Sequence, residues 1–146
     1  MLIGLLASFI SAMLIQQTRV APAATATAAP ALDYDFFKAK VQPIFLAKRP
    51  GLARCYVCHR GNGGTNYLQI LSPGAATWDE EQSRKNFEAV RRYVIAGSPE
   101  KSRLLIHPLA AEAGGDEFHG GGRQFASKDT AEWRTISAWI RGEKLK

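Results

Sequence analysis

Apolar residues recur at three- and four-residue spacing in two long stretches of the chain, a pattern typical of helices that bury one face. The first stretch predicts a helix from Leu32 to Ala47, interrupted or kinked at Pro43 because proline lacks the N–H of a helical hydrogen bond. The second stretch predicts a last helix from about Asp129 to Arg141. This helix is expected to present to a core Trp133, Ile136, Ala138, Trp139 and Ile140.

Capping residues and prolines predict two more helices between these stretches. Thr77-Trp78-Asp79-Glu80 has the form of a capping box and predicts a helix that runs to about Ala96. Ser98-Pro99 predicts an N-cap followed by a proline in the first helical position of a short third helix, which Pro108 ends.

Glycine-rich stretches separate these helices. Gly61 to Gly74 and Gly114 to Gly122 are both predicted to be loops. No stretch has the length and alternation of a convincing strand. The predicted fold class is therefore all-α, with about four helices and long loops.

The beginning of the chain has a different character. Met1 to Ile15 carries no charged side chain, and as a helix it would be about 22 Å long against a hydrocarbon core of about 30 Å. Residues 1–17 are predicted to be a membrane anchor or signal segment, residues 18–31 an Ala/Thr/Pro linker, and residues 32–146 the folded domain. A retained anchor is favoured because no Lys or Arg precedes the apolar run; the alternative is a signal cleaved near Ala24 or Ala29. Both place the domain on the periplasmic side of the cytoplasmic membrane.

The formal charge of +6 and the isoelectric point near 9.6 indicate a negatively charged partner, which could be nucleic acid, an anionic membrane surface or an acidic protein. Dense Lys/Arg runs are absent, and pairs such as Arg91-Arg92 are separated by acidic and apolar residues, so nucleic acid is not expected. Acidic redox proteins and lipid headgroups fit the charge better.

The most specific motif is Cys55-Tyr56-Val57-Cys58-His59, which contains both cysteines of the chain. In C-x-x-C-H, the two thiols lie on one side of a helical turn and can add to the two vinyl groups of haem, while the adjacent histidine reaches the iron. The alternatives are a dithiol redox pair, which needs a βαβ context, and half of a zinc site, which needs two further ligands.

Around this motif the sequence resembles the class I cytochrome c superfamily, and more narrowly the Met-poor cytochrome domains common in planctomycete and acidobacterial proteins. The matching stretches are FFKAKVQPIF, CYVCHRG, GSPEKSRLLIHPLA, AGGDEFHGGGRQFASKD and AWIRG. The resemblance extends from about Asp35 to Gly142. It implies a helical fold around one covalent haem c, with His59 as the proximal iron ligand.

The second axial ligand departs from the best-known class I pattern. The only methionines, Met1 and Met13, lie in the apolar segment, so the ligand is expected to be His119, with His107 as the alternative. The resemblance places the distal ligand in a loop shortly before the last helix, where His119 lies, and its flanking glycines let the backbone approach a flat porphyrin. A non-histidine ligand and an open position also remain.

Other side chains have weaker signals. Arg54, Arg60 and Arg123 flank the motif and the second glycine loop, where each could pair with a haem propionate or simply face solvent. Six aromatic residues are expected to pack in the core and haem pocket, namely Phe36, Phe37, Tyr67, Phe87, Trp133 and Trp139.

These expectations combine into a monohaem cytochrome that transfers single electrons, as a carrier or as a subunit of a membrane redox complex. It is not expected to be an enzyme, because the sequence offers no acid–base set. The alternative is a haem enzyme or gas-binding sensor, which needs an open distal position on the iron.

Overall fold

The computed structural model describes residues 28–146. The predicted anchor and most of the linker lie outside the described residues. The helices are α1 (Tyr34–Phe36), a π-helical segment (Phe37–Val41), α2 (Gln42–Leu46), α3 (Cys55–His59), α4 (Glu80–Val90), a 3₁₀ turn (Arg91–Tyr93), a second 3₁₀ turn (Pro99–Lys101), α5 (Arg103–Ile106), a third 3₁₀ turn (Ala111–Ala113) and α6 (Ala131–Ile140). Within residues 28–146 there is no β-strand, only isolated bridges such as Arg60 with Leu68, so the all-α class is confirmed.

The first helical region continues through Pro43 instead of breaking there. Asp33 caps α1, its carboxylate accepting the N–H of Phe36 at 2.7 Å. In the π-helical segment, the N–H of Gln42 donates to the carbonyl of Phe37, five residues back. Because Pro43 supplies no N–H, the irregularity falls in the turn that leads into it. The interruption predicted at Pro43 is therefore a wider, π-helical turn just before the proline, and the helical region continues beyond it.

The predicted cap of the long middle helix was wrong by two residues. The N-cap of α4 is Asp79, whose carboxylate accepts the N–H of Gln82 at 2.8 Å, while the Gln82 side chain accepts the N–H of Asp79. The helical region also ends earlier than Ala96, because the N–H of Ile95 donates to the hydroxyl of Ser102 at 2.9 Å. That bond leads the backbone away from the helix axis.

The predicted third helix is two short pieces, the Pro99–Lys101 turn and α5, separated at Ser102. Ser98 makes no side-chain cap; instead the buried hydroxyl of Ser102 donates to the carbonyl of Ser98 at 2.9 Å. The contacts of the Ser102 hydroxyl with Ser98 and Ile95 fix a bend at Ser102, where one continuous helix was expected.

The core is formed where the first helical region packs against α6. Trp139 is fully buried, its ring centre lies 5.3 Å from that of Phe37, and its indole N–H donates to the carbonyl of Asp33 at 2.8 Å. Ala138 of α6 was expected to face the core, but it is only half-buried. The neighbouring Ser137 is fully buried instead. The six predicted aromatic residues all belong to this core or pack against it, which confirms their packing role.

No helix among residues 28–146 has both the length and the apolar character needed to cross a membrane.

Candidate functional site

One cleft brings together the two cysteines and all three histidines of the chain. The cleft together with its open mouth has a volume of about 840 Å³. Its apolar lining includes Ile44, Phe45, Leu104, Phe125 and Ile136. All five side chains also belong to the buried core, so the cleft is a continuation of the core to the surface.

The cysteines lie at the two ends of one helical turn in α3. Both thiols are free and line the cleft, with Cys55 half-buried and Cys58 exposed. Burial raises the pKa of the Cys55 thiol, although the neighbouring Arg49 guanidinium opposes this effect. Reactive redox dithiols instead have a lowered thiol pKa. The dithiol alternative also needs a βαβ context, and residues 28–146 contain no strand.

The backbone that follows α3 holds the ring of His59. Nδ1 of His59 lies 2.7 Å from the carbonyl oxygen of Thr65, and the N–H groups of Tyr67 and Leu68 both donate to the His59 carbonyl at 2.9 Å. The loop thus closes back on the histidine that begins it. An Nδ1–H bonded to a carbonyl leaves Nε2 as the nitrogen for a metal, an arrangement common among metal-binding histidines.

His119 is held in the same way from the second glycine loop. Its Nδ1 lies 2.6 Å from the carbonyl oxygen of Gly122, and the N–H of Gly122 donates back to the His119 carbonyl at 3.0 Å. Gly122 has a φ of +79°, a conformation that favours glycine. Burial lowers the pKa of His119, which favours the neutral imidazole that a metal binds.

The spacing of the two rings is the most informative distance in the cleft. The ring centres of His59 and His119 lie 6.2 Å apart, with 27° between the ring planes. An imidazole–metal bond is about 2 Å long and a ring centre lies about 1 Å behind its nitrogen, so one metal ion bonded to both rings would hold their centres about 6 Å apart. The two rings and the two thiols beside them fit the donor set of a haem attached at C-x-x-C-H.

His107 lies beside this pair and has a different partner. Its Nδ1 is 2.7 Å from a carboxylate oxygen of Asp116, and its ring meets that of His119 edge-on, at 4.9 Å between centres and 87° between planes. The hydrogen bond from His107 lowers the pKa of Asp116, helped by the positive charge of nearby Arg103. His107 thus supports the wall next to His119.

The predicted arginines have three different positions. Arg54 lines the cleft, whereas Arg60 lies over the ring of Tyr56 at 5.7 Å. Arg123 donates to the carbonyls of His107 and Leu109, so it supports the backbone behind the cleft. Arg60 and Arg123 are therefore not among the cleft residues.

Arg103 also lines the cleft, although the sequence did not predict it as a site residue. Its guanidinium lies 3.7 Å from the carboxylate of Asp116. Arg103 precedes His107 by four residues, and residues four apart on a helix share a face, so this spacing was the available signal.

The zinc alternative finds no support in the ligand set. Across residues 28–146, no three or more His, Cys, Asp or Glu side chains are grouped to hold a metal ion. The cleft instead brings two imidazole rings, 6.2 Å apart between centres, together with two thiols.

Comparison of the chain with protein-family models, with curated proteins and with solved structures gives no match.

Proposed function

We propose that the protein is a monohaem c-type cytochrome, with haem bound through thioethers to Cys55 and Cys58 and ligated by His59 and His119. The observation that carries this proposal is the pair of carbonyl-anchored imidazoles, 6.2 Å apart in an apolar cleft beside both thiols. When bound, the haem supplies a one-electron iron couple. The function is then single-electron transfer in a small helical cytochrome fold.

The residues of the chain prepare the site in three ways. The Thr65 carbonyl favours the His59 tautomer with its proton on Nδ1, which would leave Nε2 free to bind the iron and would raise its basicity. Side chains such as Phe45 and Ile136 exclude water and lower the local dielectric constant. Arg54 and Arg103 supply positive charge for the haem carboxylates.

Two imidazole ligands favour electron transfer over the alternative function. A haem enzyme or gas sensor needs an open iron position, and the ring of His119, 6.2 Å from that of His59, offers a second imidazole for that position. Bis-histidine ligation also lacks the thioether that raises the potential of Met-ligated cytochromes, so a lower potential than theirs is expected.

The surface near the cysteines suits an acidic redox partner. Val57 and Cys58 are exposed, and the exposed guanidinium side chains of Arg54 and Arg60 flank them in the sequence. Apolar contact surrounded by positive charge favours rapid encounter with a negatively charged protein. We assign this face to a redox partner, free or within a membrane complex.

Haem attachment is tested by denaturing extraction in acidified organic solvent. We expect haem to remain on the polypeptide after this extraction. The native protein, measured separately, should have a low-spin spectrum in both redox states. Cys58→Ala should leave one thioether with a shifted absorption band, or abolish maturation, while Ser72→Ala in an exposed loop is the control. Recovery of free haem from the wild-type protein would contradict the proposal.

For the location, we propose attachment to the periplasmic side of the membrane through residues 1–17. The intact mass of the mature protein tests this, together with its recovery from washed membranes. A mass that begins near Ala24 or Ala29 would instead indicate a soluble periplasmic protein.

A further inference from the structure

Gln124 is a buried amide at the wall of the cleft, with a relative exposure of 6%. Its side-chain nitrogen donates to the carbonyl of Ala53 at 3.1 Å and to the carbonyl of Gly121 at 2.9 Å. Its side-chain oxygen accepts a hydrogen bond from the guanidinium Nη1 of Arg49 at 2.8 Å. An amide NH₂ has two protons, so both donors of Gln124 are used.

The two carbonyls belong to the two segments that carry the proposed haem ligands. Ala53 lies two residues before Cys55, and Gly121 lies two residues after His119. A single side chain therefore joins the thiol-bearing segment to the distal loop. The two segments are far apart in sequence, so no local contact joins them.

Arg49 determines which way the amide of Gln124 faces. The guanidinium donates to the amide oxygen, so the NH₂ group must point to the two carbonyls. Arg49 is itself held by Glu132 of α6 at 3.4 Å and lies 5.8 Å from the ring centre of Phe125. The orientation of Gln124 is thus fixed from the last helix.

The distal loop needs such a restraint because of its composition. Gly120, Gly121 and Gly122 follow His119, and glycine loses more conformational freedom on ordering than other residues. The bond between Gly122 and His119 is local and does not attach the loop to the opposite side of the cleft. The Gln124 amide provides that attachment.

We propose that Gln124 is a positioning residue, whose amide holds the His119 loop against the segment before Cys55 and keeps His119 in place as the distal ligand. The restraint of the loop follows from the contacts of Gln124, whereas the consequence for the iron rests on the proposed function.

Two variants separate the donor role from other effects. Gln124→Leu removes every hydrogen bond, and Gln124→Glu keeps the contact with Arg49 but loses both donors to the carbonyls. Gln42→Leu is the matched control, because Gln42 is equally buried, at 3% exposure, and donates to Ser83 away from the cleft. Each variant is made in the full chain.

The first readout is carbon monoxide binding to the ferrous protein, which requires release of the distal ligand. We expect both Gln124 variants to bind carbon monoxide about tenfold faster than wild type, the effect of losing one or two buried hydrogen bonds. Gln42→Leu should lower the unfolding temperature without changing this rate. A wild-type rate in Gln124→Glu would overturn the donor role.

The second readout does not depend on the haem. Hydrogen–deuterium exchange should become faster in residues 118–122 of both Gln124 variants and stay unchanged in α4. Unchanged exchange in the loop would overturn the inference. Failure of the proposed function would appear in the wild-type protein instead, as free haem or an open iron, and the exchange result would still decide the role of Gln124.

Discussion

His59 and His119 reach the cleft by different routes. His59 is placed by its neighbours in sequence, because it ends the turn that carries both cysteines. His119 is placed by a loop 60 residues later in the chain, through contacts of its ring and of Gln124. The ring of His59 thus depends on a local structure, and that of His119 on the tertiary fold.

Substitution of each candidate distal histidine tests the ligand assignment. We expect His119→Ala to give a high-spin haem that binds carbon monoxide, because it removes the imidazole that we propose as the second iron ligand, 6.2 Å from the ring of His59. His107→Ala should stay low-spin, because His59 and His119 are the two proposed iron ligands and His107 has no bond to the iron in that arrangement. Low-temperature spin resonance of the oxidised protein measures both outcomes. The reverse result would assign the ligand to His107, and two silent substitutions would exclude bis-histidine ligation.

Asp116 gives a pH-dependent prediction. Its pKa is lowered in the folded protein by the hydrogen bond from His107, so it stabilises the fold above the ordinary carboxyl pKa of about 4. That contribution is lost as the pH falls through the folded pKa. Asp116→Asn should therefore lower the free energy of unfolding at pH 7 and have a smaller effect near pH 3. Urea titrations measure this, with the exposed Glu117→Gln as control; equal losses at both pH values would contradict it.

The sequence predicted the side chains of the cleft better than the groups that hold them. C-x-x-C-H fixes the relative positions of Cys55, Cys58 and His59 by local geometry. The acceptors for the two imidazoles are backbone carbonyls of Thr65 and Gly122, and a carbonyl has no side-chain signature. Contacts of this kind require the tertiary fold.

At the scale of elements, the start of α4 shows how a tertiary contact selects between two possible caps. Thr77 with Glu80 and Asp79 with Gln82 both match the spacing of a capping box. The indole N–H of Trp78 donates to the carbonyl of Gln69 at 2.6 Å, and Trp78 is almost fully buried. This contact keeps Trp78 in the preceding loop, so the helix begins after it. The helix itself was predictable, and its first residue was not.

The contribution of the Asp79 cap to stability can be measured by comparison with α6, whose N-cap residue makes no side-chain cap bond. Asp79→Ala should cost about 1 kcal/mol of unfolding free energy, because it removes an acceptor for the first turn of α4. Thr130→Ala is the matched control, since Thr130 occupies the N-cap of α6 and its hydroxyl donates to the Ser127 carbonyl instead of accepting an N–H of the helix. Denaturant unfolding followed by circular dichroism measures both. Equal losses in the two variants would show that Asp79 does not act as a cap.

At the scale of the whole molecule, the positive charge is concentrated around the C-x-x-C-H motif. Six of the nineteen basic residues lie between residues 36 and 78, a stretch without Asp or Glu, and the other thirteen balance the thirteen acidic residues. The excess charge is thus carried by the segment that contains Cys55, Cys58 and His59. A negatively charged reagent that exchanges electrons near this segment should meet an attractive field, which salt screens over about 10 Å at 0.1 M.

Two double variants with the same change in net charge test whether the location of the charge matters. Arg54→Glu with Arg60→Glu should slow oxidation of the reduced protein by anionic ferricyanide several-fold at low salt, and the difference should disappear at high salt. Lys101→Glu with Lys144→Glu, at exposed positions outside the cleft, should change the rate much less. Stopped-flow kinetics over a range of ionic strengths measures this. If both double variants slow the reaction equally, net charge alone controls the encounter and the face near Cys58 is not the site of electron exchange.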